Sequence, residues 1–97
     1  MANWSQEMIQ AVWEKGQEES NNDPSMWRKD QCGAWIQWSK YGNRDSGYGW
    51  EIDHISPGGS DNLPNLRPLQ WQNNVDKGDG RLKCNATASG TKNVNHI

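Results

Sequence analysis

Asp53 and His54 stand side by side, Asn65 follows eleven positions after His54, and Asn74 and Lys77 follow in turn. An acid beside an imidazole can set an oxygen ligand next to a proton acceptor at the end of one strand. A helix further on can bring the Asn74 amide oxygen to the same place. One hard divalent cation held by Asp53 and Asn74, with His54 beside it to take a proton from water, is enough to hydrolyse a phosphodiester. Imidazole suits the proton-accepting role because it exchanges protons near neutral pH. The plain alternatives are a capping acid for Asp53 and a satisfied core histidine for His54. The neighbouring asparagines turn the balance towards chemistry. His96 is the other histidine and sits in a tail that reads as flexible, so it is not expected to replace His54.

Elements of definite kind must position these groups. Trp50 to Ile55 alternates in character and reads as a strand, with Trp50 and Ile52 on one side and Glu51 and Asp53 on the other; Pro57 ends it. Ser56 to Pro64 holds Gly58, Gly59, Asp61 and Asn62 and reads as a compact loop. Leu66 to Leu69 reads as a second short strand, interrupted by Pro68, and Gln70 to Lys77 as a helix stopped by Gly78. Lys77 lies three residues after Asn74, on the same helix face. Asp76 is turned away from that face, and it and Asp79 read as surface or capping acids. Glu51 shares the strand side of Asp53 and could support it.

The residues just quoted, Asp53-His54-Ile55, Gly58-Gly59-Ser60-Asp61, Asn65-Leu66-Arg67-Pro68-Leu69, Asn74 and Lys77, closely resemble the His-Asn-His (HNH, here HNN) nuclease family. The likeness covers about residues 48–80, and Trp27-Arg28-Lys29-Asp30, Gly33-Ala34 and Tyr41-Gly42 look like small stand-alone members of that family. The resemblance implies a ββα-metal (His-Me finger) motif and a metal-dependent endonuclease that hydrolyses DNA, nicking one strand per site. It implies His54 as general base, Asn65 supporting catalysis by tying the loop, and Asp53 and Asn74 as ligands of one divalent ion. Mg²⁺ or Mn²⁺ is the expected ion, and Zn²⁺ could occupy the same place. Lys77, Arg67, Arg81 and Arg44 are the candidates for DNA phosphates, with Lys40 and Lys83 behind them; each alone reads more readily as a solvated surface charge, and together they would steer DNA. Members of the family often carry paired cysteines around the last helix. Gln70 and Asn73 stand there instead, so no zinc knuckle is expected. Small members often belong to phages or mobile elements. A DNA-binding module of the same fold with little catalysis, or a toxin nuclease domain, is the competing reading. The Met1 start, with no delivery region, favours a free-standing enzyme.

The 97 residues predict one small α+β domain built around that motif, with a thin core: 32% of residues are hydrophobic and mean hydropathy is −1.13. Seven tryptophans and no phenylalanine make indoles the expected core. The domain divides into an N-terminal helical part (about 4–30), the motif (about 48–80) and a tail (about 85–97) that reads as flexible. Ser5 caps a helix carrying Met8, Ile9, Val12 and Trp13 on one face, with Gly16 as its stop. Asp23-Pro24 starts a short helix through about Asp30, Ala34 to Tyr41 reads as a strand, and Arg81 to Cys84 as a last one.

The net charge of −2 argues against a passive nucleic-acid binder. Residues 1–30 hold six acids and three bases; residues 31–97 hold seven bases and six acids, so the N-terminal third is a poor DNA face. The partner expected is DNA, with no membrane, no protein partner, and a monomer or weak dimer. Cys32 and Cys84 lack metal-type spacing, and two reduced thiols in a cytoplasmic protein are favoured over a disulfide.

Overall fold

The computed structural model describes residues 3–77 and 81–96. The expected stop at Gly78 and the acid Asp79 lie outside them. The order is α1 (Gln6–Trp13), β1 (Trp27–Lys29), β2 (Trp35–Gln37), β3 (Trp50–His54), β4 (Leu66–Gln70), α2 (Trp71–Lys77), β5 (Ala86–Ser89) and β6 (Lys92–Asn95), with single 3₁₀ turns at 38–40 and 63–65. The described strands form three antiparallel pairs: β1 with β2, β3 with β4, and β5 with β6. The class is α+β.

Helix α1 starts where Ser5 accepts a hydrogen bond from the Met8 amide. It buries Ile9, Val12 and Trp13 against Ile36, Trp50 and Leu66. Trp13 and Trp50 are fully buried, with ring centroids 5.2 Å apart; Trp38 and Tyr41 pack at their edges. Each such indole removes about 150–250 Å² from water, roughly 4–6 kcal/mol before entropy is counted. Arg28 closes the end of α1: its guanidinium donates to the carbonyls of Glu14 and Gly16 and lies over the Trp13 ring.

Strands β3 and β4 pair from Trp50–Gln70 to His54–Leu66. The Ile55 amide donates to Asn65 O at 2.7 Å, which makes Ile52–Pro68 a non-hydrogen-bonded pair. The N–H that Pro68 lacks therefore belongs to the outer edge, and β4 runs unbroken. That edge is covered on either side of Pro68. Lys15 Nζ donates to the carbonyls of Leu63 and Leu66, and Asp30 Oδ2 accepts from the Gln70 amide at 2.9 Å. Gly49, just before β3, admits no other residue: a Cβ there would sit 1.8 Å from Asn43 O.

Five expectations are corrected. The stretch after Asp23-Pro24 makes one turn, in which the Met26 and Trp27 amides bond Asp23 O, and then becomes β1 rather than a helix, because Trp27–Lys29 pairs with β2. The strand expected over Ala34–Tyr41 ends at Gln37, where the chain coils into a 3₁₀ turn. Residues 81–84 form no strand, and the tail read as flexible is the β5–β6 hairpin. That hairpin is docked by two asparagines acting as strand edges: Asn73 bonds both the amide and the carbonyl of Ala86, and Asn93 bonds both those of Trp35. Finally, Cys32 and Cys84 are joined in a disulfide, not held as reduced thiols. The turn after β1 and the docked C-terminal segment bring them together. Such bonds persist in oxidising surroundings.

Candidate functional site

His54 ends β3 beside a cleft of about 270 Å³, whose walls also include Trp4, Tyr41, Arg44, Glu51 and Asn74. The imidazole Nε2 lies 2.6 Å from Asp61 Oδ1, and the Trp4 ring packs 5.9 Å from the His54 ring. A carboxylate on Nε2 favours the tautomer that carries its proton there, which leaves Nδ1 as the nitrogen with a lone pair. Asp61 comes from the 56–64 loop, and Asn65 sets the shape of that loop. Its Oδ1 accepts from the Ser56 amide at 2.9 Å, and its Nδ2 donates to Ser60 O at 2.8 Å. Gly58 supplies the positive φ of 73° that the turn needs.

The other strand face meets α2. Asn74 Nδ2 donates to Glu51 Oε1 at 2.8 Å, and Arg44 grips both Glu51 oxygens, at 2.7 and 3.0 Å. Burial pushes the Glu51 carboxyl up, but the bonds from Arg44 and Asn74 and the Arg44 charge outweigh it and hold the carboxyl below its ordinary range. Two residues on, Asp53 is buried between two cations: Arg67 Nε lies 2.7 Å from Oδ2, and Lys77 Nζ 3.0 Å from Oδ1.

The structure thus brings together His54, Asn74 and Arg44 of the residues picked out by sequence. It places buried Asp53 and Lys77, with partly buried Arg67, in an ionic cluster next to them. Asn65 lies behind the loop, and Arg81 is exposed beyond the end of α2. Sequence reasoning missed Asp61, Trp4 and the pairing of Glu51 with Asn74. The available signal for Glu51 was its strand side. For Asp61 and Trp4 there was none, since loop path and helix docking bring them in. It also missed Asp30, whose buried carboxylate accepts hydrogen bonds from Cys32, Ala34, Gln70 and Asn73 and so fixes the start of α2.

Among the described residues, no group of three or more His, Cys, Asp or Glu side chains is placed to hold a metal. A larger cavity of about 310 Å³ lies beyond Ile55, lined among others by Lys15, Lys29 and Arg67. Its cations are already engaged, by the Leu63 and Leu66 carbonyls, by Glu19 and by Asp53, so the His54 cleft is the better site for a substrate. Among the described residues, no helix is long and apolar enough to cross a membrane. No protein-family model, curated protein or solved structure matches the chain.

Proposed function

We propose that this protein is a small metal-dependent endonuclease of the HNH type that hydrolyses DNA phosphodiester bonds, nicking one strand per site. The observation that carries the reading is the placement of His54, Glu51, Asn74 and Arg44 around one cleft, where an antiparallel strand pair runs directly into a helix. In this reading β3, β4 and α2 are the ββα-metal motif. His54 Nδ1 takes the proton of the attacking water while Asp61 holds the ring, a contribution of about 10²–10⁴-fold. Arg44, with its half-exposed side chain, meets the phosphate. Trp4 and Tyr41 offer faces on which an unpaired base can stack.

The donor set on the α2 side of β3 is carboxylate and amide oxygen, which fits Mg²⁺ or Mn²⁺ better than Zn²⁺. Both expected ligands, Asp53 and Asn74, lie on that side, with Asn74 hydrogen-bonded to Glu51. A divalent ion there would supply positive charge to the phosphate and the departing oxygen. Arg67 and Lys77 serve Asp53, so long-range attraction of DNA falls to Arg44, Arg81 and Lys83. A cytoplasmic placement and the Cys32–Cys84 bond pull in opposite directions; loss of activity on reduction would show that the bond matters to the working protein.

Supercoiled plasmid is the test substrate, with EDTA, Mg²⁺ or Mn²⁺, for wild type and His54→Ala. Open circle formed by wild type alone, and only with metal, is the expected result. No conversion with either metal would sink the reading in favour of a DNA-binding module.

A further inference from the structure

The cleft beside His54 is walled by hydrocarbon as well as by polar groups. Trp4, Tyr41 and Ile52 line it together with His54 and the Arg44–Glu51 pair. All three pack against the core, and all three are only partly buried. The Trp4 ring lies 5.9 Å from the His54 ring, and the Tyr41 ring meets Trp50 edge-on at 4.9 Å. Aromatic side chains next to a candidate proton acceptor form a surface for a flat ring rather than for a phosphate.

The charge of the cleft points the same way. Arg44 is the one lysine or arginine among its described lining residues, and it already pairs with both Glu51 oxygens, at 2.7 and 3.0 Å. The whole chain carries −2. Intact duplex is held chiefly by several cations that neutralise phosphates, and this cleft does not supply them. Stacking on an aromatic ring needs no charge and tolerates any base, at about 5–150-fold in affinity per base. Within a duplex both faces of a base are covered by its neighbours; a base out of the stack has a face to offer.

We propose that the cleft takes an unpaired nucleotide, with its base on the Trp4 ring and Tyr41 and Ile52 beside it. The substrate is then single-stranded or locally unpaired DNA rather than intact duplex. Because Trp4 adjoins His54, the stacked base is the one next to the phosphate that His54 addresses. The inference rests on the phosphodiester reading of the cleft and names the form of DNA that enters it.

Fluorescence anisotropy tests it apart from cleavage, with the full chain in EDTA. The probes are a fluorescein-labelled single strand of mixed sequence and a blunt duplex of the same length. Wild type should bind the single strand about 10-fold or more tightly than the duplex. Its affinity should fall only gently with salt, at about −0.7 in log–log slope for each phosphate neutralised. Trp4→Ala should weaken single-strand binding by about 5–150-fold and leave duplex binding unchanged, while Trp4→Phe, which keeps a ring, should retain most of the affinity. Equal or tighter binding of duplex by wild type overturns the inference. So does wild-type single-strand affinity in a Trp4→Ala protein with a native circular dichroism spectrum. Should Trp4→Ala fail to fold, the strand preference and the salt slope of wild type decide alone. Duplex preference combined with metal-dependent nicking removes this inference and leaves the nuclease reading. Single-strand preference with no cleavage of either probe in Mg²⁺ or Mn²⁺ supports the stacking site and removes the nuclease reading.

Discussion

Replacing Asp30 by Asn probes how the fold holds α2 against the strand that carries His54. The Asp30 carboxylate is 1% exposed and accepts four hydrogen bonds. Oδ1 takes the Cys32 and Ala34 amides, both at 2.9 Å, and Oδ2 takes the Gln70 amide at 2.9 Å and Asn73 Nδ2 at 3.1 Å. Asparagine has the same shape and one oxygen. With that oxygen kept for Cys32 and Ala34, its NH₂ faces two buried donors, each of which then costs about 1–3 kcal/mol. The share of Asn73 falls at the low end because its Nδ2 also reaches Ala86 O. Against this, the exchange removes a charge from a dry site. Burial pushes the Asp30 carboxyl above its ordinary value of 3.8, outweighing the bonds from Gln70, Ala34, Asn73 and Cys32. The expected net loss is about 2 kcal/mol at pH 7, out of roughly 5–15 kcal/mol for a domain of this size. Because the folded value is raised, the folded state binds more protons than the unfolded one between the two values. The contribution of Asp30 to wild-type stability is thus complete below the unfolded value and shrinks as pH rises through the folded one. The Asn variant lacks this dependence, so its deficit is larger at pH 4 than at pH 7. Urea unfolding followed by tryptophan fluorescence at several pH values measures both. A deficit below about 0.5 kcal/mol, against the 1–3 kcal/mol expected per orphaned donor, or one that grows with pH, would refute the reasoning.

Three further outcomes are expected. His54→Ala lowers the nicking rate by about 10²–10⁴-fold while circular dichroism and Mn²⁺ affinity stay at wild-type values; a wild-type rate removes His54 from the chemistry. Cys32→Ser with Cys84→Ser frees a loop whose ends lie 52 residues apart. By the chain-entropy estimate it loses about 4 kcal/mol, read as a fall in the urea midpoint that dithiothreitol reproduces in wild type; equal midpoints with and without reductant would show that the bond does not hold the fold. Gly49→Ala drives a Cβ into Asn43 O and should cost several kcal/mol, more than the few tenths typical of surface exchanges, in thermal unfolding; an unchanged melting temperature would mean that the 42–49 turn yields freely.

Much of the fold around the cleft is legible in the residues themselves. Period-2 alternation and Pro57 mark β3, Ser5 and the spacing of Ile9, Val12 and Trp13 mark α1, and the run after Leu69 marks α2, because these signals are local. The β5–β6 hairpin carried no such signal. It is polar, and it is held by Asn73, Asn93 and a disulfide, partners far away in sequence.

For the site, the sequence by itself determined which chemistry is affordable: one imidazole beside an acid, two asparagines at fixed spacing, and a glycine-bearing loop between them. Only the tertiary structure decided how the charges are shared. Asp53 and Glu51 look alike as strand carboxylates. Which of them pairs with Arg67 and Lys77, and which lines the cleft paired with Arg44, depends on where those cations arrive in space. Those arrivals follow from strand register, helix docking and a turn, and pairing across such distances leaves no trace in local residue pattern.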